Sequence, residues 1–591
     1  MRLAPASVGE GSLRASIRRD RDWFAVSGEI RVQEGLVLSM KTLIEGMNKG
    51  FGRFAALGDG QFLALTEEFR RRLMTLTSLG DLKGDEIRLP PLAAELAAEA
   101  LEGAGEVDAS AEWRERLELI AEAERLTPDL PSTFRASLRS YQLEGFRWLM
   151  RLAHWGAGAC LADDMGLGKT VQTLALMVSL GSKGPSLVVA PTSVCPNWIS
   201  EAARFAPTLN VKELRHGDRR ETLTGLAPMD LVVVSYGILQ NERGPMSEIP
   251  WNVIVLDEAQ AIKNTGAKRS TAAMKLNGAF RVATTGTPIE NQLSELWNIF
   301  RFLNPGYLGS AESFSRRFTV PIERDEDRMA RAQLRRMIRP FILRRTKSEV
   351  LSELPVKTEI TLTVDLKEEE RAFYEALRRS ALEELSGEGF PEKMHIFAAL
   401  MRLRRACCST SLVNAEVRLP SAKLEAFADV LTELRGGGHK ALVFSQFVDH
   451  LAILREWLDA RGVPCQYLDG TTPQEERQRR VAAFQAGEGD CFLISLRAGG
   501  TGLNLTAADY VIHMDPWWNP AVEEQASDRA HRIGQSRPVT VYRIVARDTV
   551  EEKIVALHAW KRDLADGLLE DSGHAVRLSA EELMELIRAP S

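Results

Sequence analysis

The sequence predicts an α/β fold. Two parallel-sheet lobes are separated by helical insertions and preceded by an accessory α+β region. Three observations carry this reading. From about residue 132, short apolar runs alternate with helical segments: Leu187-Val188-Val189-Ala190, Leu231-Val232-Val233-Val234, Val253-Ile254-Val255-Leu256 and Val282-Ala283. That alternation is the signature of βαβ units and a parallel sheet. The pattern restarts after Ser421, at Ala441-Leu442-Val443-Phe444, Phe492-Leu493-Ile494, Tyr510-Val511-Ile512-His513 and Val539 to Val545. Between the two series, residues 306–420 are charged and rich in helix formers.

The N-terminal stretch carries different signals. Phe24, Val26, Gly28, Ile30 and Val32 alternate with mostly polar neighbours, which predicts a strand. Asp59-Gly60 lies between the short apolar runs of Phe54 to Phe62, a hairpin signal. Ala111 to Leu126 predicts an amphipathic helix, and Thr127-Pro128-Asp129-Leu130-Pro131 breaks it as a linker. The residues before Asp22 read as the middle of something, so a truncated chain is expected. The resulting division is an accessory region 1–130, a first lobe 131–305, helical insertions 306–420, a second lobe 421–565 and a tail 566–591.

At 591 residues the chain is too long for one core and implies about three to five units. No apolar stretch approaches the ~20 residues that cross a bilayer, and Met1-Arg2-Leu3-Ala4-Pro5 lacks a signal pattern. Cys160, Cys195, Cys407, Cys408, Cys465 and Cys491 form no C-x-x-C and complete no zinc spacing. Buried thiols in a reducing cytoplasm are expected, with no membrane partner. A net charge of −6 is not a nucleic-acid-binding composition, so any grip on phosphates must be local.

One such surface is expected between Arg331 and Val350. There Arg331, Arg335, Arg336, Arg339, Arg344, Arg345 and Lys347 stand against the single acid Glu349. Arg402, Arg404 and Arg405 form a second cluster. A solvated amphipathic helix explains part of each. No interleaved aromatic ladder of the kind that stacks single-stranded bases accompanies them.

The chemistry concentrates in three strings. Asp163-Asp164-Met165-Gly166-Leu167-Gly168-Lys169-Thr170 follows a short apolar run and opens a helix. A Gly-rich loop exposes N–H groups, and the helix start adds partial positive charge. Lys169 is expected to reach β and γ phosphates, and Thr170 to hold Mg²⁺. The strict phosphate-loop pattern fails at its first glycine, which is Asp163 here. An ordinary helix start is the competing reading. Val253 to Leu256 ends in Asp257-Glu258-Ala259-Gln260, a DEAQ box. Asp257 at a strand end is expected to partner Mg²⁺, and Glu258 to orient or deprotonate water. Within Gln525 to Gln535, Arg529 and Arg532 are spaced i, i+3, on one face of a predicted helix. They are expected to complete the site from the second lobe.

In this order, from about Leu138 to Lys561, these strings resemble superfamily 2 helicase-like ATPases, specifically the Swi/Snf family of DNA translocases, of bacterial type. Leu138 to Leu149 looks like the family's adenine-side motif, and the phosphate loop is close to the family's own, Asp163 included. Pro191-Thr192-Ser193 with Asn197-Trp198 looks like motif Ia. Thr285-Gly286-Thr287-Pro288 looks like motif III, Phe341 to Lys347 like the segment leaving lobe one, and Val443 to Phe447 like motif IV. Ser495 to Leu505 and Gln525 to Gln535 look like motifs V and VI. Gln260 stands where many relatives carry His.

The resemblance implies two RecA-like lobes and ATP with Mg²⁺ as cofactors. Gln142 becomes the adenine reader, and Asp163, Asp164, Met165, Gly166, Leu167, Gly168, Lys169 and Thr170 bind the nucleotide. Gln260, Thr285 and Thr287 become coupling residues. Thr192, Ser193, Lys263, Arg497, Thr501 and Asn504 become backbone contacts. The implied partner is double-stranded DNA, tracked without strand separation by a monomer that displaces DNA-bound protein, RNA polymerase among the candidates. A strand-separating helicase and a binding module with an inactive nucleotide site are the alternatives.

Overall fold

The computed structural model describes residues 2–33, 36–49, 54–58, 61–214, 219–286, 292–351, 354–385, 393–499, 503–557 and 580–588. The first lobe is a seven-stranded sheet. Its order is Asn210–Glu213, Asp230–Ser235, Ser186–Ala190, Pro250–Asp257, Asn277–Thr284, Ala159–Leu161 and Ile342–Leu343, every neighbouring pair parallel. Its central strands Ser186–Ala190 and Asp230–Ser235 are buried at every position and mostly apolar, because both faces are covered. Along Pro250–Asp257, Val253 and Val255 enter one core cluster, and Ile254 and Leu256 enter the other.

The second lobe repeats the plan with six parallel strands. They run Lys357–Val364, Val539–Ala546, Tyr510–His513, Ala441–Ser445, Cys491–Ser495 and Cys465–Leu468. Along Ala441–Ser445, Val443 faces one cluster while Leu442 and Phe444 face the other.

The segment between the lobes was expected to be helical, and it also supplies an edge strand to each sheet. Ile342–Leu343 pairs with Cys160–Leu161. Lys357–Val364 pairs with Val539–Ala546 over eight residues. The crossing between lobes therefore falls between Leu343 and Lys357.

The accessory region holds two small sheets. One has the order Asp81–Lys83, Glu86–Leu89, Trp23–Gln33, Leu13–Asp20 and Glu106–Ala109, with Leu36–Ser39 also pairing to Trp23–Gln33. The other joins Arg2–Val8, Gln61–Leu65 and Phe54–Gly58. The strand predicted around Phe24 to Val32 is present, with Phe24, Val26 and Ile30 buried. Phe54–Gly58 and Gln61–Leu65 pair antiparallel, and the Asp59-Gly60 turn lies outside the described residues. The predicted helix spans Ala111–Arg125.

This region shares one continuous apolar cluster with a face of the first lobe. Arg116 reaches across to donate to the Trp155 carbonyl at 2.8 Å and stacks over that indole. Asp81 accepts from Ser313 at 2.8 Å, and Arg317 donates to the Ser78 carbonyl at 2.8 Å.

Among the described residues no helix is long and apolar enough to cross a membrane. Cys408, His450 and Asp515 bring three potential ligand atoms within 4.8 Å of one another in the second lobe. Arg404 pairs with Asp515 at 3.7 Å, so a guanidinium already meets that carboxylate's charge.

Candidate nucleotide site at the lobe interface

The loop Ala162–Gly168 joins the buried strand Ala159–Leu161 to the helix Lys169–Leu180. Gly166 and Gly168 adopt φ of +87° and +81°, conformations glycine takes at little cost. Lys169 Nζ donates to the carbonyls of Asp163 at 2.5 Å and Asp164 at 3.2 Å. Thr170 is half-buried in the helix's first turn. Asp163 behaves differently from the other loop residues. Its buried carboxylate is held by Arg345, Nε to Oδ1 at 3.0 Å and Nη2 to Oδ2 at 2.5 Å, with Gln172 at 3.4 Å. Asp163 therefore anchors the loop to the crossing segment through its carboxylate. Asp164, Met165 and Gly286 line a narrow cleft opposite Ala521, Gln525 and Asp528 of the second lobe. The Leu167 carbonyl accepts from Tyr141 Oη and Gln142 Nε2, both at 3.0 Å. Gln142 Oε1 accepts from the Arg139 N–H at 3.0 Å, so both ends of the expected adenine reader are engaged.

Asp257 ends the strand Pro250–Asp257. Its Oδ2 accepts from Trp198 Nε1 at 2.8 Å, and its Oδ1 accepts from Thr284 Oγ1 at 2.5 Å and the Glu258 N–H at 3.0 Å. The sequence reading did not give Trp198 and Thr284 these roles. Glu258 sits at φ +50° and is buried. Its Oε2 accepts from Gln260 Nε2 at 2.8 Å, and Gln260 Oε1 accepts from Thr285 Oγ1 at 3.0 Å. Gln525 of the second lobe reaches Glu258 Oε1 at 3.4 Å. Burial raises the Glu258 pKa, and the Asp257 charge adds to the rise, while Lys169, Gln260 and Arg529 oppose it. Thr287 lies outside the described residues.

The second lobe brings Arg529 and Arg532 to this loop. The helix expected to carry both ends earlier, at Pro520–Ser527. Arg529 and Ala530 instead make three-residue turns onto Ala526 and Ser527, and Gly534 at φ +102° follows. One i, i+4 bond persists, from the His531 N–H to the Ser527 carbonyl at 3.3 Å, among these tighter turns, so a regular helix face does not set the two guanidinium directions. Arg529 is only 3% exposed, and its Nε and Nη2 have no hydrogen-bond partner among the described residues. Burial pulls its pKa down to about 10. Arg532 packs on the phosphate loop, where a Cβ built on Gly166 would lie 2.9 Å from Arg532 Cβ. A buried guanidinium near Glu258, with two nitrogens free of hydrogen bonds among the described residues, suits an anionic group carrying a cation. Lys169, Thr170, Asp257 and Arg529 offer a chemically consistent donor set for ATP with Mg²⁺.

The described track contacts Thr192, Ser193, Lys263 and Asn504 follow the carboxyl ends of strands, where open α/β sheets place ligands. Thr192 is exposed and Ser193 half-buried beyond Ser186–Ala190. Lys263 lies beyond Asp257 and pairs with Glu295 at 3.8 Å. Asn504 is exposed beyond Cys491–Ser495. Thr501 and the Arg497 side chain lie outside the described residues.

The two basic clusters are not continuous surfaces. Arg345 holds Asp163, Lys347 pairs with Asp528 at 2.7 Å, and Arg336 pairs with Glu99. Arg404 is fully buried beside Phe447 and Trp518, while Arg405 binds the Leu412 carbonyl and Asp449. Clustering in sequence did not survive folding, because successive side chains leave the backbone toward different neighbours.

The chain matches the family model described as SNF2-related domain over residues 141–412, and that of the helicase conserved C-terminal domain over residues 422–534. It is 41% identical over 497 residues to the putative ATP-dependent helicase/translocase YwqA of Bacillus subtilis, covering 81% of this chain and 54% of that protein. It is 38% identical over 461 residues to an uncharacterized ATP-dependent helicase of Mycoplasma pneumoniae, covering 76% and 44%. The chain thus spans about half the length of the curated relatives it matches. Among solved structures, the Sulfolobus solfataricus SWI2/SNF2 ATPase core in complex with dsDNA aligns at 35% identity with a TM-score of 0.39, covering 78% of this chain and 99% of that one. With both models matched in succession, the chain belongs to the Swi/Snf family of superfamily 2 helicase-like proteins.

Proposed function

We propose that the chain is an ATP hydrolase whose turnover moves it along double-stranded DNA without separating the strands. The observation that carries the reading is the meeting of Lys169, Asp257 and Glu258 from one lobe with the buried Arg529 of the other, whose Nε and Nη2 have no hydrogen-bond partner among the described residues. In this reading the loop N–H groups from Gly166 to Lys169 and the Lys169 ammonium bind phosphates, and Lys169 exchanges two carbonyls for them. Thr170 and Asp257 would hold Mg²⁺, which would supply charge stabilisation for phosphoryl transfer. Trp198 and Thr284 fix the Asp257 carboxylate from behind. Glu258 orients the attacking water and accepts its proton. Arg529 and Arg532 neutralise developing charge, a contribution of about 10³–10⁵ in such sites. Gln142 reads adenine once its carboxamide lets go of the Leu167 carbonyl.

The hydrogen-bonded series Thr285, Gln260, Glu258, Gln525 crosses from lobe to lobe. It links the hydrolytic carboxylate to lobe closure, a coupling in which Thr287 is also proposed to take part. Thr192, Ser193, Lys263 and Asn504, with Arg497 and Thr501, serve in this reading as contacts to the duplex backbone. YwqA, named a helicase/translocase, agrees with motor action. A monomer acting in the cytoplasm on DNA-bound protein, RNA polymerase among the candidates, completes the proposal.

The test is the ATPase rate with duplex DNA, single-stranded DNA, duplex RNA and no nucleic acid. Duplex DNA alone should stimulate, and Glu258→Gln should lower the stimulated rate by about 10²-fold or more. Equal rates under all four conditions in a folded sample would overturn the DNA-motor reading.

A further inference from the structure

One lysine touches both halves of the proposed site. Lys347 stands in the crossing between the lobes. Its backbone N–H donates to Asp164 Oδ2 of the phosphate loop at 2.9 Å. Its ammonium pairs with Asp528 Oδ1 at 2.7 Å and donates to the His531 carbonyl at 2.5 Å. Asp528 directly precedes Arg529, and His531 directly precedes Arg532. Two residues before Lys347, Arg345 grips Asp163. The stretch Arg345–Lys347 thus holds consecutive aspartates of the loop and the turn that carries both arginines. The pair is well shielded, with side-chain exposures of 9% for Lys347 and 10% for Asp528. His531 Nε2 contacts the Pro355 carbonyl at 2.9 Å, closing a second link to the crossing segment. Tyr141, Leu167 and Leu351 form a small apolar cluster with Ile533 beside it.

We propose that Lys347 is a positioning residue, a latch that forms only when the lobes close and that sets Arg529 and Arg532 against the phosphate loop. The proposal rests on the ATPase reading of this site. Its physical basis is an all-or-none choice. Apart, ammonium and carboxylate are both hydrated. Together, they are dry and must pair well, because either one alone is costly in that place. Burial lowers the Lys347 pKa, and Asp528 and Asp164 work against that. A pair of this kind favours discrete open and closed arrangements over a continuum.

The decisive comparison uses the full chain with dyes on the two lobes. Closure is read by energy transfer on adding a non-hydrolysable ATP analogue. Turnover and analogue affinity are measured alongside. Lys347→Met should cut the closed population and lower kcat roughly tenfold, while analogue affinity changes far less, because the phosphate loop itself is intact. Lys347→Arg should recover part of both losses. Asp528→Asn should reproduce the defect, and adding it to Lys347→Met should cost little more, as expected for partners in one pair. If Lys347→Met does not fold, Asp528→Asn breaks the same pair with an isosteric side chain. An unchanged closed population in the folded variants would overturn the latch, as would independent, multiplying effects of the two substitutions. Closure is read without hydrolysis, so a wild-type chain that closes yet does not turn over would count against the ATPase reading and leave the latch standing.

Discussion

Glu258 carries the most consequential ionisation in the proposed site. It is buried beside Asp257, and both facts favour its protonated form. Water activation needs the carboxylate. The rate should therefore fall as pH drops through a pKa above the usual carboxylate range. The measurement is kcat against pH at saturating ATP and DNA. The acidic limb should lie above the pH at which an exposed glutamate titrates, and the residual Glu258→Gln activity should lack it. An identical limb in that variant would assign the ionisation elsewhere. The residues of this site were legible to different degrees. Lys169, Asp257 and Glu258 could be read because each follows a local pattern, a loop before a helix or an acid after an apolar strand. Arg345 could not. Its partner Asp163 lies 182 residues away, and a charge count placed it in a DNA grip. Trp198 was seen only as part of a string, since a tryptophan reads as core until its N–H is found on Asp257.

Strands buried on both faces were the most legible elements. Their runs of valine, leucine and isoleucine leave little room for another structure. Ile342–Leu343 is two residues long and falls below any periodic signal. Lys357–Val364 holds three threonines, an isoleucine, a leucine and a valine, a readable β composition overlooked in a charged stretch. At the element scale the phosphate loop makes its own prediction. Gly166 sits at φ +87°, and an added Cβ would lie 2.9 Å from Arg532 Cβ. Gly166→Ala should strain the loop by about 1–2 kcal/mol and obstruct the approach of the second lobe. Loss of kcat should exceed loss of nucleotide affinity, checked by turnover and equilibrium binding on one preparation. Equal losses would place the glycine's role in binding alone.

Across the whole molecule, charge is distributed unlike the sequence suggests. The chain is acidic overall, and several members of its basic clusters are engaged by partners within it. Arg336 ties the insertion to the accessory region, Arg345 and Lys347 secure the lobe interface, and Arg404 lies in the second lobe's core. The candidate track contacts are mostly neutral: Thr192, Ser193, Thr501 and Asn504, with Lys263 and Arg497 the two cations. Counterion release counts phosphates neutralised by cations, about 0.9 per contact on duplex DNA. A grip made by hydroxyls, amides and two cations should give a salt slope of about −2, against roughly −6 if the Arg331 to Lys347 cluster reached the backbone. The DNA concentration for half-maximal ATPase stimulation, followed from low to moderate salt, separates the two. A shallow slope supports a track held by polar groups at strand ends. A steep one would mean that the clustered arginines leave their internal partners when the motor engages DNA, so that binding itself would reorganise the crossing between the lobes.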